Sequence, residues 1–157
     1  MRLSDSVVAR GDFMNYKEQP IYKDDVLDAL ATEPLHFGRW ISEDGCGACA
    51  VGSVLRSVFY NVTESNVSRA MAGSYFTRDT GQMLTWLSIR NSVTWMGLLS
   101  CLWESLGEYN YYWGGDLRKK YPTEELRWIA YEWVEEHFPE DVNYWDEADP
   151  NLLESFI

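Results

Sequence analysis

Residues 93–107 read VTWMGLLSCLWESLG. Wound into a helix at 3.6 residues per turn, Trp95, Met96, Leu98, Leu99, Leu102, Trp103 and Leu106 leave almost no polar stripe, so this helix needs cover on every side. It is therefore read as the central helix of the fold, and the flanking segments as its cover.

Working outward, residues 48–60 place Val51, Val54, Leu55, Val58 and Phe59 at helical spacing, with Asp44 and Gly45 just upstream as start signals. In YKDDVLDALATEP (22–34), Val26, Leu27 and Leu30 share a face, Asp24 and Asp25 sit at the positive end of the helix dipole, and Pro34 stops the run. Thr63 resembles the N-cap of a short helix ending at Gly73, Asp79 or Thr80 the cap of another reaching about Arg90, and Ser92 the start of the central helix. Downstream, Pro122 and Thr123 introduce EELRWIAYEWVEEHF, in which Leu126, Ile129, Trp133 and Val134 are expected to face inward and Pro139 to end the helix. The segment LHFGRWI (35–41) fits a short strand or an extended connection. The expectation is a mainly α, compact single-domain bundle of about five or six helices spanning residues 1–157, with room for a short strand pair near the N-terminus. Residues 1–20 are expected to form a loose arm, and residues 140–157 an acidic tail docked through Tyr144, Trp145, Leu152, Leu153 and Phe156.

Twenty-five acidic residues against 13 basic ones give a formal net charge of -12, a field that repels nucleic acid and suits a basic protein surface, including another protein's nucleic-acid groove. The start of the chain lacks the apolar stretch of a signal peptide and no apolar run reaches about 18 residues, so a cytoplasmic protein with no membrane contact is expected. Three cysteines are too few for a disulfide framework.

The stretch DGCGACAVGS (44–53) carries the chemistry worth weighing. Cys46-Gly47-Ala48-Cys49 has redox spacing ahead of a helix, where the dipole stabilises a thiolate. It resembles the active-site tetrapeptide of thioredoxin-like oxidoreductases, but that family's sheet and facing cis-proline have no counterpart among the five prolines. The longer DGCGACAVGSVLRS is similar to the helix start of bacteriocin-processing and other papain-like cysteine peptidases, which implies Cys46 as nucleophile. His36 and His137 are then the available bases, although His137 falls in the last turn of a helix and the family's upstream Gln is missing. A zinc site needs two ligand pairs, and Cys101, His36 and His137 supply no second pair, so neither metal nor cofactor is expected. The plainest reading makes Cys49 and Cys101 small buried side chains, with Gly45, Gly47 and Gly52 allowing a tight helix start and close packing.

The wider segment FGRWISEDGCGACAVGSVLRS resembles small phage, prophage and actinobacterial proteins of unknown function. In these, a Gly-Trp type turn is followed by Cys-Ala-Leu-Gly-Ala-Leu or Cys-Cys-Leu-Gly-Val-Leu. The matching residues are Gly38, Trp40 and Cys49-Ala50-Val51-Gly52-Ser53-Val54, with a looser match at Asn91. The resemblance implies a mobile-element protein with Cys49 in the core; for a phage-encoded chain the compartment is the host cytoplasm.

Two surfaces are candidates for binding. The loop around Tyr109, Tyr111, Tyr112 and Trp113 offers rings that bind with little lost rotamer entropy. The carboxylates Glu135, Glu136, Asp141, Asp146, Glu147 and Asp149 offer a phosphate-like face. The lead functional expectation is a non-enzymatic acidic binding protein, an inhibitor of the phage type that occludes a host defence enzyme or its nucleic-acid-binding surface. The alternatives are a thiol enzyme using Cys46, with Cys49 and His137, and a subunit of a homo-oligomer.

Overall fold

A computed structural model describes residues 11–42, 47–72, 94–109 and 122–148, and the main chain is largely helical. In chain order the elements are β1 (Gly11–Asp12), a 3-10 turn (Phe13–Glu18), α1 (Lys23–Thr32), α2 (Ala50–Val58), β2 (Phe59–Tyr60), α3 (Glu64–Met71), α4 (Trp95–Tyr109) and α5 (Thr123–His137). The sequence-predicted helix near residues 79–90 and the residue Ser92 lie outside the described residues.

α4 meets the expectation for a helix apolar all round. Every residue from Trp95 to Trp103 is buried, and Met96, Leu98, Leu99, Cys101 and Trp103 are wholly so. Its first turn is closed by Thr94, whose Oγ1 accepts from the Gly97 N–H at 3.0 Å, and by two carbonyls of the later chain. Tyr144 O accepts from Met96 N at 3.0 Å and Asp146 O from Trp95 N at 3.2 Å. Donors left open by helix geometry are thus satisfied by segment 143–148, which ties the start of the acidic tail to the core.

Tyr144 is the anchor of that segment. Its ring is fully buried, its hydroxyl donates to Pro139 O at 2.8 Å, and its N–H donates to Ile21 O at 2.8 Å. Trp145 packs against Tyr16, with ring centroids 4.8 Å apart. Leu152, Leu153 and Phe156 lie outside the described residues. The arm expected to be loose is held from Gly11 onward: β1 pairs in parallel with β2, Gly11 opposite Phe59 and Asp12 opposite Tyr60, and Phe13 is buried against Phe59.

α1 and α5 run antiparallel and cap each other. At one end Lys23, 9% exposed, donates from Nζ to Glu135 O at 2.6 Å, placing a cation on the negative end of α5. At the other, the Arg127 guanidinium donates to Ala31 O and Glu33 O, both at 2.9 Å, closing the carbonyl end of α1, and also meets Glu124 at 3.1 Å. Arg127 is only 6% exposed, so its two bonds to the α1 carbonyls are sheltered from water, while the Glu124 contact faces solvent.

One inward assignment is corrected. On α5, Leu126 and Val134 are buried as expected and Trp133 is half-buried, but Ile129 is 45% exposed. The inward stripe is Leu126, Arg127, Ala130 and Val134, which leaves Ile129 on its exposed flank.

Candidate interaction face

The structure bears on the cysteine stretch through the loop it packs against. Cys46 lies outside the described residues. Cys49 is buried at the N-cap of α2, and its Sγ accepts from the Gly52 N–H at 3.4 Å. Its own N–H reaches the carbonyls of Arg39 and Trp40 at 3.1 and 3.3 Å. A Cβ built on Gly52 would overlap the Trp40 carbonyl, so the glycine lets α2 lie directly against that loop.

The loop is held from its other side by two carboxylates. Glu104 on α4 accepts from Gly38 N with its two oxygens at 2.9 and 3.0 Å, where Gly38 turns with φ +97, and Glu64 on α3 accepts from Ile41 N at 2.7 Å. Phe37 stacks on Trp103 with centroids 4.3 Å apart and planes 7° from parallel, while Trp103 Nε1 donates to His36 O at 2.7 Å. Gly38, Trp40, Cys49 and Gly52, four positions of the motif, therefore belong to one packed unit.

This unit is the reverse of a thiolate-activating site. Burial pushes the Cys49 thiol up to about 12; the Gly52 N–H acts the other way, and the carboxylates of Glu104 and Glu64 add to the rise. The thiolate is the reacting species, so Cys49 is inert at neutral pH. Native protein at pH 8 is expected to leave Cys49 unmodified by iodoacetamide and to label it at the ordinary free-thiol rate in urea, with the site read by peptide mass. Native labelling of Cys49 as fast as in urea would contradict this.

His137 is engaged within its own helix. Its ring stacks on Trp133 at 4.2 Å and 14°, and its Nδ1 pairs with Trp133 O at 3.1 Å. Among the described residues, no three His, Cys, Asp or Glu side chains are grouped to hold a metal ion. No described helix is long and apolar enough to cross a membrane.

Glu104 has a further consequence. Burial raises its carboxyl above the ordinary 4.5, the Gly38 N–H opposing. A carboxyl whose pKa is raised on folding favours the folded state when protonated. Its contribution is complete below 4.5 and is lost as pH rises through the higher folded value. Glu104→Gln, which keeps an acceptor for Gly38, is expected to gain in stability relative to the parent between pH 4 and pH 7. Urea unfolding of both proteins at the two pH values measures that gap, and a pH-independent gap would contradict it.

The candidate interaction face lies on α5. At about 100° per residue, Glu124, Glu125, Trp128, Ile129, Glu132, Glu135 and Glu136 fall within an arc of about 140°, and all seven are exposed. The helix has one Lys or Arg, Arg127, and it is turned inward. Trp128 is 48% exposed and its ring meets Tyr131 edge-on at 5.4 Å and 62°. Glu140 and Asp141 follow the helix and, with Tyr22, Lys23 and Asp24, line an open cleft of about 360 Å³.

Of the residues expected to bind, Glu135 and Glu136 lie on this exposed arc and Asp141 just beyond it. Asp146 and Glu147 are exposed elsewhere, in the segment against the start of α4. Tyr109 ends α4, and Tyr111, Tyr112, Trp113 and Asp149 lie outside the described residues. Sequence reasoning missed Trp128, Glu125 and Glu132, although the spacing 125, 128, 132, 136 carried the signal. No protein-family model, curated protein or solved structure matches the chain.

Proposed function

We propose that the chain is a non-enzymatic acidic binding protein, of the phage inhibitor type, that occludes a basic nucleic-acid-binding surface on a host protein. The observation carrying this reading is the outward arc of α5, where carboxylates flank the exposed Trp128, Ile129 lies at the rim, and the only Arg of the helix is withdrawn. The formal charge of -12 extends the same field over the molecule and favours rapid encounter with a basic partner. The burial of Cys49 and the engagement of His137 within its own helix support the binding reading over the thiol-enzyme alternative.

Affinity capture from bacterial lysate at low salt, followed by competition on the captured protein, tests the reading. The expected partner is a basic nucleic-acid-binding protein that releases its DNA or RNA when the chain is added. Captured proteins no more basic than the lysate, or a nucleic-acid complex that survives saturation with the chain, would contradict it.

A further inference from the structure

We infer that Trp128, with Ile129 beside it, is a stacking anchor, and that the α5 face docks in the groove of a basic protein that binds single-stranded nucleic acid. This inference rests on the acidic-binding reading above and narrows its partner. A large indole, 48% exposed, sits between Glu125, Glu132, Glu135 and Glu136 on one side of a single helix, with an Ile, 45% exposed, at the rim. Tyr131, half-buried and packed on the core, braces the indole edge-on, so little rotamer freedom remains to be lost on docking.

Charge selects the occupant. A second copy would bring the same carboxylates against one another, and nucleic acid or an anionic membrane is repelled by the same field. A basic groove is attracted. Glu125, Glu132, Glu135 and Glu136 span about 16 Å of helix, an acidic strip along which such a groove can lie.

The exposed indole then separates two kinds of groove. Duplex-binding surfaces meet the backbone mainly through phosphate contacts, whereas single-strand grooves pair a cationic track with aromatic or arginine platforms on which bases stack. A row of carboxylates with one ring among them matches the second kind, the indole taking the place of a base.

Displacement followed by fluorescence anisotropy tests this. The probes are a labelled oligo-dT on an OB-fold single-stranded-DNA-binding protein and a labelled duplex on a helix-turn-helix domain. The chain is expected to release the single strand at concentrations that leave the duplex bound. Trp128→Ala should weaken that release roughly tenfold to a hundredfold, the range for losing one stacked base, with unchanged circular dichroism. Glu132→Gln should keep the preference for the single-strand site while flattening its salt dependence.

Equal release of both probes, unaffected by Trp128→Ala, would overturn the inference while leaving the acidic-binding reading standing. Release of neither probe would also overturn it, and the captured partner of the preceding experiment then shows whether the broader reading falls as well. A solution dimer that protects Trp128 from quenching by iodide would overturn it in favour of a second copy.

Discussion

Arg127→Ala is expected to lower the unfolding free energy by about 3–4 kcal/mol, a large part of the 5–15 kcal/mol typical of a domain. The guanidinium holds the Ala31 and Glu33 carbonyls at 2.9 Å each and is nearly removed from solvent. Charge-assisted hydrogen bonds contribute about 1.5–3 kcal/mol each, and their loss leaves the carbonyl end of α1 without its cap. The aliphatic stem adds packing that Ala also removes. Arg127→Lys should recover less than half, because a point-like ammonium does not reproduce a planar fork across two acceptors. Urea unfolding by circular dichroism measures both variants, and a loss under about 1 kcal/mol for Arg127→Ala would show the α1–α5 pair to be held by its apolar contacts alone.

Gly52→Ala should have an effect of similar size and of the opposite sign to that expected from helix propensity. Alanine is favoured over glycine by about 1 kcal/mol inside a helix. Here the new Cβ would overlap the Trp40 carbonyl and crowd Ala48, so α2 must move off the loop or the loop off α2. Either movement strains the bonds from Cys49 N to Arg39 O and Trp40 O. A loss of about 3 kcal/mol is expected, at the upper end of ordinary overpacking. Gly47→Ala supplies the control, since a Cβ there meets the ring of exposed His36, which can swing aside, and its cost should stay below about 1 kcal/mol. Equal costs at the two positions would contradict the close approach of α2 to Trp40.

Hydrophobic periodicity carried most of the fold. α2 and α4 were legible because their apolar residues recur through several turns, and Val51, Val54, Leu55, Met96, Leu99 and Trp103 are all buried. Arg127 and Lys23 were not legible, because a charged residue in an amphipathic helix is assigned to solvent unless the acceptors it reaches are known. Those acceptors are backbone carbonyls about 90 to 110 positions away. Ile129 was assigned inward because it lies three residues after Leu126, but the true stripe runs through Arg127 and Ala130, which pattern reading passes over as polar and small.

The cysteine stretch shows a similar divide. Its packing role followed from glycine and cysteine chemistry, yet the roles of Glu104 and Glu64 had no signature, since a carboxylate that accepts from a distant loop N–H obeys no sequence spacing. On the surface, acidity was visible in composition alone. The concentration of carboxylates around Trp128 needed the exposed arc of α5 to be known.

The most direct measurement of the proposed function is the association rate with the captured basic partner, followed by stopped flow from 50 to 500 mM salt. The parent chain is compared with a variant carrying Gln at Glu125, Glu132, Glu135 and Glu136. If the α5 face steers the encounter, the parent's rate falls steeply with salt, while the variant starts slower and falls much less, the two converging at high salt. Identical rates and slopes for the two proteins would place recognition elsewhere on the molecule and contradict the assignment of this face.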